Sequence, residues 1–192
     1  VPTNYRRDFM FEELIASHCS PALAGIKPAN IVTCRKSVTK NIHHEITRLN
    51  NQLNSRNIYI EILYENKDSV LVMVYRQNIL NRHLANPLNR AFLMQYGYDK
   101  AKNIEDYLDI LKSRIKSDDF PHEIGVFLGY PLHDIYCFIN HRNEGCLLVG
   151  DWKVYHNAEE TVKLFSLFRA CKNAVLKKIA DGHTLAQIFC AA

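Results

Sequence analysis

Ile58-Tyr-Ile-Glu-Ile-Leu-Tyr-Glu-Asn-Lys-Asp-Ser-Val-Leu-Val-Met-Val-Tyr75 is the stretch that decides the fold. Two runs rich in β-branched and aromatic residues, 58–64 and 70–75, flank the polar Glu65-Asn-Lys-Asp-Ser69. That pattern predicts a hairpin with a short polar loop. Val70-Leu-Val-Met-Val74 is apolar at every position, as expected of a strand covered on both faces and lying mid-sheet. A hairpin interrupts the strand-helix-strand rhythm of a doubly wound fold. The expected class is therefore α+β.

Working outward, Val38, Ile42, Ile46, Leu49 and Leu53 recur at helical spacing and predict an amphipathic helix over 37–53. Residues 30–34 read as a strand. Asp8 can cap a first helix running through Phe9, Met10, Leu14 and Ile15. His18-Cys19-Ser20-Pro21 reads as a corner, with Ser20 as N-cap and Pro21 in the first turn of a short helix over 22–27. Gly25 weakens that helix and Pro28 ends it.

Downstream, 78–96 reads as two helical pieces split at Pro87, with Asn86 as the second cap and Gly97 as terminator. Asn103 caps the next helix, whose buried stripe is Ile104, Leu108, Leu111 and Ile115. Phe120-Pro-His-Glu-Ile-Gly-Val-Phe-Leu-Gly-Tyr-Pro131 then concentrates candidate chemistry. Its 124–128 portion is expected to be a buried strand, and Pro131 opens a helix over 132–141 with Leu132, Ile135, Tyr136 and Ile139 inward. Asn143-Glu-Gly145 is a turn, and Asp151-Trp-Lys-Val-Tyr155 alternates like a strand. Asn157 with Glu160 resembles a capping box for a long helix with Val162, Phe165, Phe168, Cys171, Val175 and Ile179 inward, closed by Gly182. Thr184 caps a last short helix. The expectation is a single α+β domain over 1–192, with a mixed sheet of about five strands, one hairpin included, covered by helices.

The 192 residues suffice for one substantial core, and 47% hydrophobic with 23% charged residues is ordinary for a folded chain. The net charge of +4 comes without a dense Lys/Arg block, so no nucleic-acid partner is expected. No apolar run is long enough to span a bilayer and no signal peptide is visible at Val1, so no membrane partner is expected. The chain opens without Met, which leaves a trimmed N-terminus open. Cys19, Cys34, Cys137, Cys146, Cys171 and Cys190 are scattered with no CxxC, as for reduced thiols in a cytoplasm.

Three segments carry a family resemblance: His18-Cys-Ser-Pro-Ala-Leu-Ala-Gly-Ile-Lys27 with Pro28-Ala-Asn30, the 120–131 motif, and Asp151-Trp-Lys-Val-Tyr155. In that order they resemble the DUF3793 family, proteins of anaerobic, mostly clostridial, bacteria with no assigned activity. The resemblance spans nearly the whole chain and implies a small cytoplasmic protein of an anaerobe. Cys19, Lys27, His122, Glu123, Tyr130, Asp134, Trp152, Lys153 and Tyr155 match the pattern. His133 stands where the family has Glu, Cys137 where it has Gly, and Val149-Gly150-Asp151 where it has Cys-Gly-Tyr.

Three constellations can carry chemistry. A thiol beside a helix N-terminus is stabilised as thiolate, so Cys19 is a candidate nucleophile, with His122 as base and Asp134 or Glu123 orienting the ring. The plain alternative is a half-buried Cys and a loop-bonding His. His18-Cys19 with His122-Glu123 would also suit a metal or haem, as would His133, Cys137 and His141 on one helical side, although a solvated helix side is the plainer reading of the latter set. His43-His44-Glu45 reads as surface. Lys27, Lys153 and the helix start after Pro131 can form an anion pocket. Tyr130 and Trp152, near Tyr155, can form an aromatic wall for a planar small-molecule ligand, the one partner expected. GxGxxG, Walker and HExxH signatures are absent, so the cofactor stays unassigned. The competing class is a non-catalytic regulatory or scaffold protein.

Overall fold

The computed structural model describes residues 3–39, 41–116, 120–142 and 144–190, with side chains from Met10 onward. The elements run α1 (Thr3–Leu23), β1 (Ala29–Arg35), α2 (Ile42–Leu53), β2 (Ile58–Glu65), β3 (Ser69–Arg76), α3 (Gln77–Leu84), α4 (Pro87–Met94), α5 (Ile104–Ile115), a single helical turn α6 (Ile124–Phe127), α7 (Leu132–His141), β4 (Leu148–Val149), β5 (Lys153–Val154), α8 (Ala158–Ala180) and α9 (Leu185–Cys190). The class is α+β. Among the described residues, five strands divide into a three-stranded sheet, order β1-β3-β2, and a two-stranded ribbon, β4-β5. Every pairing is antiparallel.

The hairpin forms as expected and β3 is the central strand, with Val32 opposite Val72 on one side and Ile60 opposite Val74 on the other. Strand alternation then makes two cores. Val70, Val72 and Val74 join Val32, Cys34, Ile58 and Ile60 under α1, α2, α8 and α9. Met73 and Tyr75 join Ala29 and Leu63 under α3 to α7, with Ile31 and Leu71 packed alongside. A register shift between Ile62 and Tyr64 turns Leu63 into the second core, as a β-bulge does. The outer edge of β2 is closed by Asn50, whose amide donates to the Ile60 carbonyl and accepts from the Ile60 N–H, both at 2.8 Å. This blunts an otherwise exposed edge.

Three of the expected side-chain caps form. Asn86 accepts from Leu88 N–H and Asn103 from Asp106 N–H. Thr184 and Gln187 cap α9 reciprocally. Glu12, buried in α1, accepts from the first N–H of α9 at 2.6 Å and from Arg48 of α2 at 2.9 Å, tying three helices of one layer together.

Several expectations are corrected. The 18–21 corner is no corner: α1 runs unbroken to Leu23 with Pro21 inside it. Pro21 lacks an N–H to bond back, a defect a helix tolerates best near its end. The Ser20 hydroxyl donates to the Ala16 carbonyl instead of capping a new helix. α1 begins at Thr3, so Asp8 lies within it, and its side chain falls outside the described residues. The helix expected over 37–53 starts only at Ile42, because Val38 and Thr39 close a turn on the Arg35 carbonyl and Val38 is 57% exposed. Asn157 adopts φ 50° and makes no side-chain cap, so the capping box is absent. Tyr136 and Val162, expected inward, are exposed. Asn143 lies outside the described residues.

His83 of α3 donates from Nε2 to the Val126 carbonyl at 2.9 Å and so fixes α6 from outside. Burial holds its pKa below the ordinary 6.5, the carbonyl bond opposing. The unfolded chain therefore binds the extra proton first, and stability drops as pH falls from 6.5 through the folded value. His83→Gln keeps a donor and removes that titration. Urea midpoints at pH 5 and pH 7.5 are expected to differ less in this variant than in the parent.

Candidate functional site

Residues 120–131 do not form a strand over 124–128. They form α6, closed by a left-handed glycine: Gly129 has φ +74°, its N–H donates to the Val126 carbonyl, and Tyr130 N–H donates to the Gly125 carbonyl. This pair of bonds is a Schellman C-terminus. A Cβ on Gly129 would also fall 2.6 Å from Pro28 Cδ. Glycine is thus required twice there, by dihedral and by contact. That contact brings the 27–28 segment against the start of α7. Gly150 serves the same kind of approach, since a Cβ there would run into the Phe165 ring.

These close approaches leave a cavity of about 410 Å³ beside edge strand β1. Its rings are Phe120, Tyr130, Phe138 and Trp152, and its aliphatic wall is Ile31, Ile124, Leu128 and Ile135. Among the described residues, His122, Asp134 and Lys153, with the Tyr130 phenol, bring ionisable groups to it.

Asp134 is the hub of the wall. It is buried at the first turn of α7, accepts from Trp152 Nε1 at 2.7 Å and from Tyr155 N–H at 2.9 Å. Both its oxygens are therefore used to dock β5 on α7. Trp152 stacks on Tyr130 at 4.9 Å between ring centres and meets Phe165 edge-on at 4.6 Å. Each such pair contributes about 0.5–1.5 kcal/mol beyond area burial. The Tyr130 hydroxyl donates to the Asp151 carbonyl at 3.0 Å, and burial, then Asp151, pushes its pKa up to about 12.

Lys27 is 4% exposed, with its ammonium 5.1 Å from the Tyr130 ring centre and 5.5 Å from that of Phe168. Burial lowers its pKa, while Asp151 and Cys19 oppose the shift. Lys153 holds its ammonium 5.2 Å from the Phe138 ring centre, and His122 meets the same ring edge-on at 5.1 Å. Strand alternation does turn Trp152 and Val154 toward α8 and leaves Lys153 on the other side.

The other candidates lie elsewhere. Cys19 sits inside α1, fully buried among Ile15, Leu23, Val32 and Cys34, in the core opposite the sheet face that Ile31 presents to the cavity. It lacks the helix N-terminus that would favour a thiolate. Burial, then Cys34, drives its pKa far up, against a smaller pull from Lys27. No hydrogen bond joins it to His122 among the described residues. Glu123 turns away from the cavity to pair with Arg114 and accept from Tyr98. Tyr155 reaches the site through its backbone, while its hydroxyl donates to the Arg142 carbonyl. His133 and Cys137 are neighbours at 3.7 Å on α7. Among the described residues, no group of three or more His, Cys, Asp or Glu side chains is arranged to hold a metal. Neither His18-Cys19 with His122-Glu123 nor His133, Cys137 and His141 forms such a set.

Phe120, Phe138, Ile31 and Leu128 are cavity residues that sequence reasoning did not select. Phe138 was readable: it lies three positions after Ile135 and shares its side of α7. Ile31 had no local signal, because its role depends on which strand forms the sheet edge.

A family model described as "Protein of unknown function (DUF3793)" matches residues 15–189. No curated protein and no solved structure gives a match. No helix among the described residues is long and apolar enough to cross a membrane.

Two outcomes follow from this geometry. In native protein, iodoacetamide is expected to label Cys137 and Cys146 while Cys19 and Cys34 react only after denaturation, read by peptide mass spectrometry; Cys34 is itself pushed up to about 11 by burial. Asp134→Ala leaves two donors without their acceptor, at a cost of about 2–4 kcal/mol in unfolding free energy. The Trp152 indole N–H resonance is expected to shift upfield in the same variant.

Proposed function

We propose that this chain, which belongs to the DUF3793 family, is a single-domain binding protein whose ligand is a small, mainly apolar molecule held in the cavity between β1, α6, α7 and β5. The observation that carries this reading is the cavity itself. At about 410 Å³ it falls within the usual range of small-molecule sites, roughly 300–1,000 Å³. Its wall is aromatic and aliphatic with few polar groups, the usual make-up of such sites. The wall is also preformed: Asp134, Trp152 and Tyr130 hold one another through hydrogen bonds and stacking, so little ordering remains for a ligand to supply.

His122, Tyr130, Trp152 and Lys153 are the contact residues in this proposal, Phe138 joins them, and Asp134, Lys27 and Tyr155 position the wall. Thiol catalysis by Cys19 with His122 is left out. A nucleophile must reach its substrate as thiolate, and both the burial of Cys19 and its place within α1 oppose that. Glu123 is likewise given a structural role with Arg114.

The single tryptophan makes the test direct, since one indole N–H resonance reports on the cavity wall. Titration with naphthalene is expected to shift that resonance in the parent protein. Ile31→Phe, which fills the cavity from the sheet edge, is expected to abolish the shift while changing the melting temperature by only a few degrees. An indole resonance unmoved by naphthalene in the parent would count against the ligand site.

A further inference from the structure

The pairing already present in the cavity wall narrows the chemistry of its ligand. Resting on the ligand-site reading above, we propose that the cavity selects an uncharged, flat ring compound bearing one hydrogen-bonding group, and that His122 is the residue that reads this group. Every charged group at the wall is engaged within the protein. Asp134 gives one oxygen to Trp152 and the other to Tyr155. Lys153 is engaged as well, with its ammonium over the Phe138 ring. Lys27 lies behind Tyr130, buried against two rings and in the field of Asp151. A carboxylate on the ligand would have to compete with these existing partners for Lys153, and an ammonium for Asp134, while losing its water in a mainly apolar space, which is strongly unfavourable.

His122 differs from these three. It is exposed, lines the cavity and touches Phe138 with its ring; its carbonyl accepts from Gly125 N–H, while its imidazole makes no hydrogen bond to any other described residue. A neutral imidazole offers one N–H donor and one acceptor nitrogen, enough for a single hydroxyl, carbonyl or ring nitrogen. The shape preference comes from the rings. Tyr130, Trp152, Phe138, Phe120 and the imidazole surround the space, and aromatic pairs gain from offset stacking or edge-on approach at 4.5–7 Å, roughly, between centres. The volume, near the low end for such sites, suits one or two fused rings.

The test is calorimetric titration at neutral pH with three bodies of equal ring size: naphthalene, 2-naphthol and 2-naphthoate. The parent protein is expected to bind 2-naphthol about tenfold more tightly than naphthalene and 2-naphthoate at least about a hundredfold more weakly than 2-naphthol. His122→Phe is expected to erase the advantage of 2-naphthol, read as the ratio of its affinity to that of naphthalene. His122→Gln, which retains a donor and an acceptor, is expected to keep part of the advantage. Binding of 2-naphthoate as tight as that of 2-naphthol would overturn the selection for an uncharged ligand and leave the ligand site standing. A tenfold preference for 2-naphthol that persists in His122→Phe would overturn the role of His122. Failure of all three compounds to bind the parent would instead overturn the ligand site itself.

Discussion

Everything in this molecule depends on β3 being buried on both faces. A central strand without a solvated side must find apolar cover above and below, and Val70-Leu-Val-Met-Val-Tyr75 supplies side chains to both. Alternate residues fall into two separate cores, and each core recruits its own helical layer. The valines gather α1, α2, α8 and α9, and the leucine, methionine and tyrosine gather α3 to α7. The site inherits its place from this division. The cavity lies on the second face, where edge strand β1 shows Ile31 and where, among the described residues, no further strand closes the sheet.

A second constraint, local to the site, is the carboxylate of Asp134. It is buried and charged, a costly arrangement unless its oxygens are satisfied. The indole N–H of Trp152 and the backbone of Tyr155 satisfy them, and so a two-residue strand that could hardly stand alone is pinned to a helix. Trp152 is thereby fixed against Tyr130, Tyr130 against Lys27, and Gly129 against Pro28. Three segments far apart in the chain become one rigid wall. The segments that resemble the family pattern are the ones that build this wall, which gives that pattern a structural meaning independent of any activity.

Cys19 shows how a site inferred from punctuation can dissolve in packing. Ser20-Pro21 is a fair signal for a helix start, and a cysteine before it would then sit in a favourable field for a thiolate. The helix instead runs through Pro21, since its inner side, with Phe11, Ile15, Ala16, Cys19 and Leu23, packs on the sheet continuously. Burial of that stripe outweighs the one backbone bond that Pro21 forfeits. Once the helix is continuous, Cys19 becomes an ordinary core residue, and the imidazole with which it was paired faces a cavity reached from the other side of the sheet.

The residues themselves determined the hairpin, the central position of β3, the caps at Asn86, Asn103 and Thr184, and the helices over 104–115 and 132–141. In each case the deciding interaction spans only a few residues: an Asn oxygen to an N–H two or three positions on, or a stripe repeating every third or fourth residue. Tertiary structure decided what no local pattern could. The apolar 124–128 stretch became a helical turn because Gly129 had to pass beneath Pro28 in a left-handed conformation. The cavity, its Ile31 wall and the separation of Cys19 from His122 follow from which strand is left at the edge of the sheet. Strand order is a property of long-range pairing, and the free energy that sets it comes from surfaces that meet only when the whole chain has folded.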